Sequence, residues 1–322
     1  MADATHAPGY PFTAGTLPLR EAISRALARR HGVEVDERAV LPTIGTKEMV
    51  AWLPTLLGLG AGDTVALPRV AYPTYAVGAT LAGCRYVEAD TVDELNEAAP
   101  SLVWLNSPSN PTGRVRSVAE LREIVQWARA RGALVVSDEC YIDLGWNSEP
   151  VSLLHPSVAD GDHTGLLSVQ SLSKRSNLAG YRFGFAAGDE QAVSRLLEVR
   201  KHAGMIVPLP VQVAAIAALD DDEHVAKQHE VYRQRRAALM PALVAAGFRI
   251  DHSEAGLYLW ITRGEDCWRT VEAMASLGIL VAPGDFYGPA GAFHVRVALT
   301  ATDERIAAAV ARISSGGLPP RA

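Results

Sequence analysis

Short, continuously apolar runs recur along the first two thirds of the chain, at 63–67 (DTVAL), 101–106 (SLVWLN), 133–139 (ALVVSDE), 166–171 (LLSVQS) and 183–188 (FGFAAG). Runs of that length and β-branched content predict strands buried on both faces. Between them the rhythm becomes helical. GTLPLREAISRALARRHG places Leu19, Ile23, Ala26 and Leu27 on one face, with Gly32 as the predicted stop. VLPTIG leads into a second helical run, KEMVAWLPTLLG. Ser117 and Glu120 form a predicted capping box, after which Leu121, Ile124, Val125 and Ala128 recur at helical spacing. The alternation predicts an α/β fold whose mainly parallel sheet is covered by helices on both faces.

After about residue 220 the texture changes. A long charged helix, DEHVAKQHEVYRQRRAALMPALVAAG, precedes a strand–strand–helix–strand–strand–helix pattern that ends at DERIAAAVARI. That pattern predicts a smaller α+β domain over 221–322, following a large domain with a short N-terminal arm over 1–220. The low-complexity ends, MADATHAPG and SSGGLPPRA, are expected to be mobile.

Composition narrows the function by exclusion. With 322 residues and 48% hydrophobic content the chain can bury a large core. A net charge of −6 without a basic cluster offers no footprint for nucleic acid or for a membrane surface. Cys84, Cys140 and Cys267 stand too far apart for a zinc site or a disulfide framework, which fits a reducing cytoplasm. The nine histidines show no metal-ligand spacing. Neither a signal peptide nor a membrane span is recognisable, so a soluble cytoplasmic protein is expected. GLGAGD at 58–63 follows a helix and precedes a strand, the wrong order for a dinucleotide loop, and no Walker-A pattern exists.

In open α/β sheets, ligands sit beyond the carboxyl ends of the strands. The polar residues at those ends are Asn106 to Asn110, Asp138 with Tyr141, and Ser171 to Lys174. Singly each has a bland reading as a cap, a turn or a wet loop residue. Together they supply an amine, a carboxylate, a phenol and an amide around one cavity, the set that pyridoxal phosphate requires. Its aldehyde takes a lysine, Lys174, and its ring nitrogen a carboxylate, Asp138. Its phenolate oxygen needs donors such as Asn110 and Tyr141. The turn IGTKE aims the N–H groups of Thr46 and Lys47 at a phosphate, and Ser171, Ser173 and Arg182 can add side-chain donors. Tyr72, after the first apolar strand, is placed to cover the ring.

The motifs YPFTAGTLPLREAI, NSPSNPTG, SDECY, SLSKRSNLAGYRFG and HVRVAL resemble, at matching spacings, those of the fold-type-I, class I/II aminotransferases over nearly the whole chain. The resemblance implies the seven-stranded sheet of those enzymes and pyridoxal 5'-phosphate as cofactor. It implies Lys174, Asp138 and Tyr72 as catalytic residues, with Lys174 linked to the cofactor aldehyde, Asp138 at the pyridinium and Tyr72 stacked on the ring. Asn110 and Tyr141 are implied at the phenolate oxygen, and Thr46, Lys47, Ser171, Ser173 and Arg182 at the phosphate. Arg296, with Asn110, is implied at the substrate's α-carboxylate. Tyr10 is implied at the phosphate of a neighbouring subunit, hence a homodimer. Amino acids and 2-oxo acids are the implied substrates.

A finer similarity, in LPTIGTKEMVAWLPTLLGLGAGD, RKHAGMIVP, HSEAGLYLW and VAPGDFYGPAG, is to the succinyldiaminopimelate aminotransferases of actinobacteria, in lysine biosynthesis. It implies N-succinyl-diaminopimelate and 2-oxoglutarate as substrates. Arg175, Lys201 and His202 are candidates for the additional carboxylate, and surface charges are the competing reading. Family members carry a longer N-terminal segment that closes over the substrate, so a complete cofactor site with an incomplete lid is expected. The alternatives are an aspartate-type transaminase or carbon–sulfur β-lyase of the same fold, or a truncated cofactor-binding relative with little activity.

Overall fold

In the computed structural model, which describes residues 4–316, the five apolar runs are consecutive neighbours in one sheet. The strands are β1 (Val40–Thr43), β2 (Thr64–Leu67), β3 (Arg85–Glu88), β4 (Leu102–Asn106), β5 (Leu134–Asp138), β6 (Leu166–Ser171) and β7 (Gly184–Gly188). Their order is β1-β7-β6-β5-β4-β2-β3. Pairings among β2 to β6 are parallel, and β7 runs antiparallel to both its neighbours.

Both faces of this sheet are buried, which is why its strands read as unbroken apolar runs. On β4, Val103 and Leu105 join a core with Leu19, Ile23, Leu121 and Val125. Leu102 and Trp104, on the opposite face, join Met49, Leu53, Tyr75 and Leu196. The edge strand β3 escapes the hydrophobic pattern because Arg85, Tyr86 and Glu88 are exposed, a common way of blunting a sheet edge.

The first helix spans Leu17–His31 and stops at Gly32, whose φ of 61° is the left-handed cap conformation that glycine adopts without strain. The helix Val118–Arg131 opens with the reciprocal capping box of Ser117 and Glu120. Beyond the helix Glu223–Ala245 lies an antiparallel sheet of β8 (Arg249–Asp251), β9 (Tyr258–Thr262), β10 (Ala282–Pro283) and β11 (Val295–Ala298), in the order β10-β11-β9-β8. Its apolar side packs on Leu239, Leu243, Met274 and Ile306 as a separate core. The expectation of mobile tails falls partly on residues 1–3 and 317–322, outside the described residues. Among the described residues no helix is long and apolar enough to cross a membrane.

Candidate active site

Parallel strands deliver their last residues to one side of the sheet. Asn106 and Asp138, the final residues of β4 and β5, are register partners. Asn106 braces the site: its Nδ2 donates to the carbonyl of Asp138 at 2.9 Å, and its Oδ1 accepts from the backbone N of Asn110 at 2.7 Å. Asn110 is thereby folded back into a cavity of about 250 Å³, which Asp138, Tyr141, Ser173 and Lys174 also line.

The opposite wall is the turn before the helix Thr46–Leu56. The first N–H groups of a helix have no intrahelical acceptor and favour an anion. Gly45 makes the approach of a cation possible there. A Cβ on Gly45 would meet Arg182 Nη2 at 2.5 Å, and its φ of 74° disfavours any other residue. Arg182 is itself left-handed, φ 56°, and its Nη1 donates to the carbonyl of Ala179 at 2.8 Å. Glu48 holds the turn from behind, accepting from Ile44 N at 3.0 Å while the fully buried Arg200 donates to it at 3.1 Å.

The carboxylate of Asp138 is buried and takes two donors. Tyr75 donates its hydroxyl to Oδ2 at 2.9 Å and Cys140 N donates to Oδ1 at 3.1 Å, while the Cys140 thiol lies 3.1 Å from Thr46 Oγ1. Burial pushes the Asp138 carboxyl up, and the bonds from Cys140 and Tyr75 oppose that shift. A cationic partner is what such a carboxylate lacks. Burial likewise raises the phenol of Tyr141, whose hydroxyl lies 3.3 Å from that of Tyr258, so Tyr141 stays a neutral donor.

Across the cavity, Arg296 stacks 3.8 Å from the ring centroid of Tyr258 and donates Nη1 to Asn110 Oδ1 at 2.8 Å. With that oxygen engaged, the amide NH₂ of Asn110 is left to face another acceptor. The Nε of Arg296 is buried without a hydrogen-bond partner. Lys47 also lines the cavity, 5.6 Å from the ring centroid of Tyr72. No ion pair to Lys47 or Lys174 is present among the described residues.

Not every candidate from the sequence converges here. Ser171 is not among the residues that line the cavity, and its hydroxyl donates to the Phe183 carbonyl at 3.1 Å and accepts from Ser173 N at 2.9 Å, capping the lysine's turn. Tyr10 stands 99% exposed, away from the cavity of this chain. Of the three extra-carboxylate candidates none reaches the cavity. Arg175 is buried against Asp143 and Asp222, Lys201 pairs with Glu198 on a helix surface, and His202 is exposed. Conversely, Tyr75, Cys140 and Tyr258 line the cavity without any sequence pattern that singles them out.

A family model for aminotransferase class I and II matches residues 2–313. The chain belongs to that family. Its enzymes depend on pyridoxal phosphate, and the chain is accordingly a pyridoxal-phosphate aminotransferase. It is 65% identical to the "Probable aminotransferase Rv1178" of Mycobacterium tuberculosis, over 98% of this chain and 75% of that protein. It is 62% identical to the 4-dedimethylamino-4-oxo-anhydrotetracycline transaminase OxyQ of Streptomyces rimosus, over 98% of this chain and 88% of that one. Among solved structures, a probable N-succinyldiaminopimelate aminotransferase from Thermus thermophilus superposes with a TM-score of 0.88 at 31% identity, covering 98% of this chain and 88% of that chain. The residues fit the aminotransferase cofactor. A buried carboxylate short of a cation, a glycine cradle under a guanidinium and a lysine without an ion pair surround one cavity.

Proposed function

We propose that the protein transfers the amino group of N-succinyl-LL-2,6-diaminopimelate to 2-oxoglutarate. When bound, pyridoxal phosphate supplies an aldehyde and an electron-accepting ring. On this reading Lys174 carries the cofactor and, once displaced by the substrate amine, moves the proton at the substrate's Cα. Asp138 pairs with the ring nitrogen, with Tyr75 and Cys140 N holding its orientation. Asn110 and Tyr141 donate to the phenolate oxygen, and Tyr72 covers the ring. The N–H groups of Thr46 and Lys47, the Ser173 hydroxyl and Arg182 receive the phosphate. Tyr10, exposed on this chain, reaches the equivalent site of a second copy in a homodimer.

The observation that carries the substrate class is that two cations without carboxylate partners among the described residues line one cavity. Arg296 keeps a buried Nε without a hydrogen-bond partner, and the Lys47 ammonium stands beside Tyr72. Arg296 suits an α-carboxylate as a planar fork, and Lys47 suits a second, distal carboxylate as a mobile point charge. Both 2-oxoglutarate and a succinylated diamino acid carry such a second carboxylate. The likeness to the Thermus structure supports the succinylated donor.

A second reading has the amino group delivered to a ring ketone, and the 62% identity to OxyQ favours it. Half-reaction titrations followed by cofactor absorbance decide between them. N-succinyl-diaminopimelate, glutamate, aspartate and an aromatic amino acid serve as donors, with 2-oxoglutarate and a fused-ring ketone as acceptors. Efficient conversion by the succinylated donor and return by 2-oxoglutarate supports the first reading. Return by the ring ketone alone overturns it.

A further inference from the structure

Lys174 faces the cavity, and the next residue points the opposite way. Arg175 is 6% exposed, and its Nε lies 3.3 Å from Asp143 Oδ2. Its Nη2 lies 3.2 Å from Asp222 Oδ1, and its Nη1 donates to the Ala218 carbonyl at 2.7 Å. Arg30, from the first helix, bridges the same two carboxylates at 2.6 Å and 2.5 Å. His31 completes the group at 3.5 Å from Asp143, and Arg29 touches Asp222 from the exposed side at 2.9 Å.

The placement of Asp143 gives this cluster its meaning. Two consecutive turns, Ile142 N to Glu139 O at 3.0 Å and Leu144 N to Tyr141 O at 2.9 Å, carry the chain from Asp138 through Tyr141 to Asp143 with little freedom. The single helical turn Leu172–Arg175, capped by Ser171, carries Lys174 and Arg175 with equal rigidity. One turn therefore presents Asp138 and Tyr141 to the cavity, the other presents Lys174, and Arg175 with Asp143 joins them from behind. Asp222 extends the tie to the joint between the helices Leu209–Asp220 and Glu223–Ala245.

We propose that Arg175 is a positioning residue: its pairing with Asp143 sets where the Lys174 amine stands relative to Asp138 and Tyr141. Proton transfer tolerates little misplacement of the base, and a buried fork-to-carboxylate contact is directional in a way an apolar contact is not. Burying this many charges for stability alone is a poor exchange, since desolvation offsets most of the attraction. The inference rests on the assignment of Lys174 as the cofactor-bearing amine.

The test compares Arg175→Met, Arg175→Lys and the outer-arm control Arg29→Ala with the wild type. Four quantities are read: apoprotein melting temperature, the rate at which apoprotein takes up pyridoxal phosphate, bound-cofactor absorbance against pH, and the single-turnover rate at saturating donor. Borohydride reduction and peptide mapping of the wild type accompany them. Arg175→Met is expected to slow both cofactor uptake and single turnover at least tenfold, with KM changed less than twofold. Its absorbance transition moves by half a pH unit or more, Arg175→Lys recovers part of each loss, and Arg29→Ala matches the wild type in all but melting temperature. If Arg175→Met does not fold, Asp143→Asn, which keeps the guanidinium, carries the same comparison. A label at Lys174 combined with unaltered uptake, pH profile and turnover overturns the positioning role alone. A label at another lysine overturns the assignment of Lys174 and this inference with it.

Discussion

The hydroxyl of Tyr75 donates to Asp138 Oδ2 across 2.9 Å, with both residues buried. A hydrogen bond to a charged group is worth about 1.5–3 kcal/mol, so Tyr75→Phe should slow the single-turnover half-reaction by roughly ten- to a hundredfold. Asp138→Asn should cost more, about 2.7–4 kcal/mol, as for other groups that stabilise charge developing in a transition state. Stopped-flow half-reactions with a single donor check both, and the order of the two effects is the discriminating result.

Gly45→Ala should weaken cofactor binding far more than it weakens the fold. The new methyl meets Arg182 Nη2 at 2.5 Å and displaces the guanidinium from the phosphate turn. The backbone strain at a positive φ adds only about 1–2 kcal/mol. Titration of apoprotein with pyridoxal phosphate should show a shared loss in Gly45→Ala and Arg182→Leu, with the double variant falling short of the sum because both act through one contact.

Arg296→Leu should raise KM for every amino donor and every 2-oxo acid, because all carry an α-carboxylate. Lys47→Met should raise KM only for substrates with a second carboxylate. Each loss is expected at about tenfold or more, since a carboxylate left without its cation in a closed site is costly. Equal effects of Lys47→Met on alanine and glutamate would remove Lys47 from the distal position.

Parts of this site are legible in the sequence because a chemical residue stands at the end of an apolar run. Asp138 terminates β5, and Lys174 follows β6 by three residues. Tyr75 is hidden because it lies within the helix Thr74–Leu81, where an aromatic residue reads as core, and it is indeed fully buried. Tyr258 comes from the second sheet, 117 residues beyond its partner Tyr141, a pairing that only tertiary structure creates. A serine before a lysine's turn can serve as a cap or as a phosphate ligand, which the sequence does not separate, and the hydroxyl of Ser171 makes the cap contacts. Arg175 misleads because adjacent helical residues diverge by about 100°. With Lys174 in the cavity, its neighbour has to face elsewhere. The charged edge strand β3 lacks any apolar rhythm to detect.

The acid side of the stability profile follows from Asp222. Hydrogen bonds from Arg29, then from Arg30, hold its carboxyl well below the usual carboxylate range, outweighing burial. A depressed folded-state pKa contributes stability above the unfolded value, near 3.8, and loses it as pH falls toward the folded one. Asp222→Asn should therefore melt below the wild type at pH 7, and the gap should close as the pH drops beneath about 4. A gap that stays constant down to about pH 2.5 would mean that the carboxylate charge is not what matters there.

The most direct test of the account reduces the cofactor-loaded protein with borohydride and maps the modified peptide. The label is expected on Lys174, within SLSKRSNLAGYR, with one equivalent per chain, and Lys174→Ala should bind cofactor while losing both label and turnover. A label on Lys47 or any other lysine, or full turnover by Lys174→Ala, would contradict the assignment on which the proposed chemistry of the site depends.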